Sequence, residues 1–125
     1  MSHLTRTAAP VHHLHGVTFR SFAASHSGAA HLAAWHAEFP PSTVGTAHSM
    51  TEEEVLHVLR GRLAVELGPD SFTADAGDAV LIPAGTRFRV SNNADAPAEA
   101  WVTTTVGMNA VMDSDGARVA PPWAQ

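Results

Sequence analysis

The chain reads as all-β, an antiparallel sandwich or barrel of many short strands. Glycine and proline punctuate it at short intervals, at Pro40-Pro41, Gly61, Gly68-Pro69, Gly77, Pro83, Gly85, Pro97 and Gly107. Between them lie runs rich in Val, Leu, Phe, Thr and Ala, of the length that strands take. Two stretches, AHSMTEEEVLHVLRG from Ala47 and GDAVLIPAGTRFRVSN from Gly77, each have the spacing of a strand–turn–strand unit.

The expected strands follow this punctuation. The first, 17–22, is a Val, Thr and Phe run, and the second, 31–39, stops at Pro40-Pro41. Strands at 46–50 and 55–59 flank the acidic run Glu52-Glu53-Glu54, whose first two members belong to a solvated loop. A helix is the rival over 50–59, but Gly61 and the Val-Leu-His-Val-Leu run favour a strand. Strand 62–67 ends at Gly68-Pro69, 71–74 lies before Gly77, and 79–82 runs into Pro83. Strand 87–91 follows Gly85, and 100–106 lies between Pro97 and Gly107.

At 125 residues the chain forms one domain, 1–125, with an N-terminal arm at 1–16, a barrel at 17–112 and a tail at 113–125. Its net charge of −5, with 7 Lys and Arg, gives phosphate backbones no positive face, so nucleic acid is not an expected partner. The absence of Cys excludes disulfides, thiolate metal sites and a Cys nucleophile. No apolar run is long enough to span a membrane, the first fifteen residues lack the apolar middle of a signal peptide, and the cytoplasm is the default compartment. Of nine His, four stand at His3, His12, His13 and His15, which read as a solvated arm without regular structure to set ligand geometry. Trp123, beside Pro121-Pro122, is expected to pack on its own barrel or on a second subunit.

The two strand–turn–strand units resemble the paired motifs of the cupin superfamily, small jelly-roll β-barrels whose mouths usually hold a metal. Within the first unit, Gly61 and Glu54 stand in register with the motif, and His48-Ser49-Met50 occupies its His-x-His positions. Ser42 replaces the motif's opening Gly, with Gly45 nearby as a substitute turn residue. In the second, Gly77, Pro83, Gly85 and Asn92 are in register, and Phe88 replaces a His. The retained Gly and Pro are turn chemistry. The resemblance implies a cupin-type jelly-roll barrel, a homodimer, and a cup in which three His and one Glu would grip a metal. Here only His48 and Glu54 remain.

Strand alternation then sets the facing. With Glu54 inward, Leu56 and Val58 are inward too, and Val55, His57 and Leu59 face out toward another strand or a second subunit. His57 is thereby on the wrong face for a displaced ligand. His48 and Met50 share the inner face, as do Phe88 and Val90. Met50 and Phe88 can equally be core fillers or the apolar floor of a ligand cup. In the last long strand, either Trp101, Thr103 and Thr105 line the cup or Val102 and Thr104 do. An aromatic ring with hydroxyls suits a cavity, so the first set is favoured. On 31–39, His36 and Glu38 oppose Trp35, Ala37 and Phe39. If the polar face looks in, His36 joins His48 and Glu54; the favoured arrangement puts His36 at a surface.

Three functions are open to such a cup. In the leading one, His48 and Glu54 move protons in an isomerase, cyclase or lyase type of reaction. The apolar small substrate would be held by Met50, Leu56, Phe88, Val90, Trp101 and Thr103. No cofactor is required for this. In the second, His48, Glu54 and a third ligand, from His36, the Met50 sulfur or water, hold a divalent transition metal for an oxygenase (dioxygenase type) or isomerase. The third is a non-catalytic barrel that binds a small molecule.

Overall fold

The computed structural model describes residues 2–125, and its elements are nearly all strands. They are β1 (Val11–Leu14), β2 (Val17–Ala23), β3 (Leu32–Phe39), β4 (His48–Met50), β5 (Glu54–Arg60), β6 (Arg62–Leu67), β7 (Asp70–Asp75), β8 (Ala79–Ile82), β9 (Phe88–Ser91), β10 (Ala98–Thr105), β11 (Ala110–Met112) and β12 (Arg118–Val119). Short 3-10 turns at Ser25–Ser27 and Pro122–Ala124 complete the set. Two six-stranded sheets face each other, in the orders β1-β2-β3-β10-β5-β8 and β12-β11-β4-β9-β6-β7. All pairings between strands are antiparallel, as a jelly roll requires.

The turn residues do what their chemistry allows. Gly61, Gly77 and Gly85 all take positive φ. At Gly61 a side chain would also strike the Pro97 carbonyl, at 2.7 Å from an added Cβ. Ser42 keeps the left-handed backbone, φ 59, that its position demands, although it is not glycine. Gly45 serves a different need, close approach: an added Cβ would lie 2.0 Å from the Val90 carbonyl oxygen. Asn92 is fully buried and acts as a clamp. Its amide donates to the carbonyls of Phe39, Pro40 and Ala96, and its Oδ1 accepts from the Ala94 N–H.

Each of the nine expected strands is present, with ends shifted by at most two residues. The structure continues the barrel beyond 17–112 on both sides. The arm was expected to lack regular structure, but residues 11–14 pair with β2 in register, Val11 with Arg20 through Leu14 with Val17. The positive φ of His15 and Gly16 makes the tight turn between them. In the tail, β12 pairs with β11. Trp123 packs on its own barrel, stacked on Phe19 with ring centroids 3.8 Å apart and planes 5° apart. No helix among the described residues is long and apolar enough to cross a membrane.

The core lies between the sheets. β5 alternates as expected, with Glu54, Leu56 and Val58 buried and Val55, His57 and Leu59 exposed. β10 has the opposite parity to the expected one. Val102 is buried between Trp35 on β3 and Leu56 on β5, whereas Trp101 aligns with His36 and His57 on the outer face. The bulge at Glu99/Ala100 helps fix this register.

Candidate active site

Between the sheets is a cavity of about 520 Å³, within the range that suits a small molecule. Its walls are mainly apolar and aromatic: Phe19, Trp35, Phe39, Phe88 and Trp123, with Met50, Leu56, Val90 and Val102. Of the residues expected in the cup, His48, Glu54, Met50, Leu56, Phe88 and Val90 all line it. Trp101 and Thr103 do not. They lie on the outer side of β10, where Trp101 packs against Phe22 at 5.3 Å. Val102 takes their place, because β10 pairs so that its even-numbered residues meet the inward faces of β3 and β5.

Glu54 opens β5 and Ile82 is its cross-strand partner. The glutamate is 4% exposed, and its Oε2 has no hydrogen-bond partner. Burial alone pushes its carboxyl from 4.5 up to about 8. Near neutral pH Glu54 is therefore a protonated acid in an apolar chamber.

His48 comes from the other sheet, on β4, where it pairs with Phe88. The two rings lie 4.3 Å apart at 49°. Its Nδ1 donates to the Thr46 carbonyl at 2.7 Å, which fixes the tautomer and leaves Nε2 as an acceptor. Burial is the main cause holding its pKa below 6.5; the Thr46 contact opposes this and the charge of His15 adds to it. Two titratable groups on one cavity thus have pKa values moved in opposite directions.

His36 does not join them. It stands on the outer face of β3, where Nε2 lies 3.1 Å from Glu99 on β10, and Arg60 reaches the same carboxylate. Among the described residues, His36, Glu38 and Glu99 are the group that brings three metal-donor atoms within 4.8 Å of one another. His48 and Glu54 belong to no such group. A metal gripped in the cup, which the motif resemblance implies, does not fit the residues present. Among the described residues no three donor atoms on the cup wall lie within 4.8 Å of one another, and Met50 and Phe88 stand where imidazoles would complete the motif's set.

What the sequence missed is the arm. His12, His13 and His15 line the cavity, and His13 Nδ1 lies 3.2 Å from the Thr18 hydroxyl. The available signal was the pair Val11 and Leu14 just ahead of a turn at Gly16, too short to separate from a frayed terminus.

Comparison with known proteins agrees with this architecture. No curated protein matches the chain by sequence. In fold, it is similar to the polyketide cyclase RemF from Streptomyces resistomycificus, with TM-score 0.75 and 19% identity over 84% of this chain and 79% of that one. It is also similar to KdgF from Halomonas sp., with TM-score 0.71 and 18% identity over 82% and 92% of the two chains. A sugar phosphate isomerase of the cupin superfamily from Silicibacter pomeroyi gives TM-score 0.69 and 20% identity over 85% and 77%. The family model for the cupin domain matches residues 35–105, which span β3 through β10 and include His48 and Glu54. The chain belongs to the cupin domain family.

Proposed function

We propose that the protein is a small-molecule enzyme that works by acid–base chemistry, of isomerase, cyclase or lyase type, on an apolar substrate. The observation that carries this is Glu54, a buried carboxyl with an unpartnered oxygen on the wall of a ligand-sized cavity. A purely structural role would leave a polar atom unsatisfied at a cost of roughly 1–3 kcal/mol with nothing in return.

The residues support one balanced sequence of proton transfers. His48 Nε2 removes a proton from a carbon next to a substrate carbonyl. Glu54 gives its proton to the carbonyl oxygen, and an enol forms. In a conjugated enol, His48 returns its proton to a different carbon while the enol hydroxyl gives its proton back to Glu54, which isomerises the substrate. Alternatively the enol carbon attacks a second carbonyl, the enol proton returning to Glu54 and protonated His48 supplying the new hydroxyl, and loss of that hydroxyl with an adjacent proton as water completes the ring. The apolar walls keep bulk water from the enol. Met50, Leu56, Phe88 and Val90 hold the substrate, and Val102 fills the wall that Trp101 and Thr103 were expected to form. The likeness in fold to a protein named as a polyketide cyclase and to one named as a sugar phosphate isomerase agrees with this reaction class.

The test needs no knowledge of the natural substrate. The wild-type protein is expected to speed exchange of solvent deuterium into the carbon next to the carbonyl of 2-tetralone, followed by NMR. Glu54→Gln and His48→Ala should each lower that rate by about 10²-fold or more. Equal rates in all three proteins, or no acceleration by the wild type, would refute the reading.

We propose further that the protein is a homodimer. Leu32, Val55, Leu59 and Leu81 are exposed on the outer face of the first sheet, where a second copy would cover them.

A further inference from the structure

β1 carries two imidazoles to the mouth of the cavity. His12 shares the inward face of this strand with Leu14, and its cross-strand partner is Phe19, the ring on which Trp123 stacks. The His12 ring lies 6.2 Å from the Trp123 ring, which fixes it on the cavity side. His13 turns the other way, to the Thr18 hydroxyl. His15 stands at the rim in the turn after β1, with a left-handed backbone of φ 50. This turn lies against the segment that leads to His48, since a Cβ added at Gly16 would sit 3.9 Å from the Thr43 methyl. The charge of His15 is felt at His48, where it helps lower the pKa.

Among the described residues no carboxylate forms an ion pair with His12 or His15. The buried polar atoms sealed without a partner are Glu54 Oε2 and Trp123 Nε1; the His12 nitrogens are not among them and stay open to a ligand. The rest of the lining sharpens the contrast. The protein has 12 Asp and Glu and a net charge of −5, yet of these Glu54 alone lines the cavity, and burial holds it neutral. No Lys or Arg lines it. On an acidic protein, the mouth is thus a place where imidazoles meet no opposing charge. A cleft with apolar walls focuses the field of such groups into itself.

We propose that the cavity takes an apolar molecule bearing one carboxylate, and that His12 binds this carboxylate while His15 adds positive field at the rim. This rests on the reading of the cup as a small-molecule site, and it narrows the substrate to an apolar carbonyl compound that carries a carboxylate. The apolar body lies among Phe19, Trp35, Phe88 and Trp123, and the anion stays at the mouth. Drawn deeper, it would lose its hydration with no cation to replace it. Two imidazoles without a guanidinium or ammonium suit a monoanion better than a phosphate monoester, whose charge is about −1.5 to −2 at neutral pH.

The test uses 2-naphthylacetic acid and 2-naphthylacetamide, which differ in charge at nearly the same shape, titrated by calorimetry at pH 6, within the range where imidazole takes up a proton. Wild type is expected to bind the acid about tenfold more tightly than the amide, the size of one charge-assisted hydrogen bond. His12→Phe keeps a ring beside Trp123 and removes the nitrogens. In it the preference should fall to about twofold, with the amide bound within about twofold of wild type. Adding His15→Asn, which tolerates the left-handed backbone, should abolish the remainder. His57→Gln, on the outer face of the sheet, should leave the preference intact. An equal loss of both probes in His12→Phe would assign His12 to packing and overturn the proposal. So would a preference that survives in the double variant, one that disappears in His57→Gln, or a wild type that binds neither probe or does not distinguish them.

Should His12→Phe not fold, the ring-nitrogen resonances of His12 in the unmutated protein give the same answer. They should move toward their protonated values on adding the acid and not on adding the amide; the same response to both overturns the proposal. Deuterium exchange into neutral 2-tetralone tests the acid–base reading by itself. A protein that prefers the acid but does not exchange deuterium keeps this subsite and loses that reading, and the reverse outcome does the opposite.

Discussion

Glu54 on β5 lies directly across from Ile82 on β8, and Ile82 is wholly buried. Cross-strand neighbours on one face sit within side-chain contact. The carboxyl is therefore set against a branched hydrocarbon, and no charged group is near enough to hold it ionised. Burial of the carboxyl raises its pKa, and from the pKa comes a stability that depends on pH.

The folded-state value, about 8, lies above the unfolded value of 4.5. Below pH 4.5 both states hold the proton and stability is full. As pH rises through that window the unfolded chain ionises first, so stability falls and levels off above about 8. Glu54→Gln removes this term. Its melting temperature should match wild type near pH 4.5 and exceed it at pH 8.5, by the equivalent of roughly 3–5 kcal/mol for such a shift. Parallel melting curves for the two proteins across that range would rule the buried acid out.

The same pair of groups predicts a bell-shaped rate. His48 must be neutral to accept a proton, and burial lowers its pKa, so the acid limb falls below pH 6.5. Glu54 must be protonated to donate, so the alkaline limb falls near pH 8. The deuterium-exchange rate of wild type, measured from pH 5 to 9.5, should show both limbs. The residual rate of Glu54→Gln should lack the alkaline one.

β10 offers a direct comparison of its two faces. Val102→Ala enlarges the cavity and should cost about 1–2 kcal/mol of stability and several-fold in binding of 2-tetralone. Trp101→Ala, one residue away on the outer face, should leave that affinity within about twofold. Calorimetry on the two variants decides, and a larger loss of affinity in Trp101→Ala would contradict the register.

Asn92 joins three carbonyls of two different segments. Replacing it with Leu removes these bonds and the one to the Ala94 N–H, although the Pro40 carbonyl keeps the Thr43 hydroxyl, and should cost about 3 kcal/mol or more, measured by urea unfolding. The loss should be one of stability rather than of chemistry, since Asn92 does not line the cavity. A variant as stable as wild type would show that water satisfies those carbonyls.

The outer sheet face predicts assembly. Leu81, 57% exposed, pairs across the sheet with the exposed Val55. Light scattering should give a dimer for wild type and a monomer for Leu81→Glu. An unchanged mass in the variant would place any interface elsewhere.

Sequence alone was enough for the fold and for half of the site. Turn glycines, the proline before Gly85 and strand periodicity are local properties, and they sufficed to place the nine strands and to turn Glu54, Leu56 and Val58 inward. The facing of β10 was another matter. Trp101 and Val102 belong to a strand with large residues on both faces, so its own composition names no inner side. That side is set by pairing with β3 and β5 and by a bulge, which are contacts distant in sequence. The same pairing sets His36 beside Glu99 on the outer face, the arrangement favoured from the sequence.

His48 and Glu54 could be picked out one residue at a time, because each sits in a spacing that survives in the chain. Only the tertiary structure decided what surrounds them. It closed the cup with β1 and with the tail that carries Trp123, segments more than a hundred residues apart. It also buried one carboxyl oxygen and one indole N–H without partners. Burial and hydrogen-bond satisfaction are sums over neighbours from the whole chain, so no local pattern in the sequence encodes them.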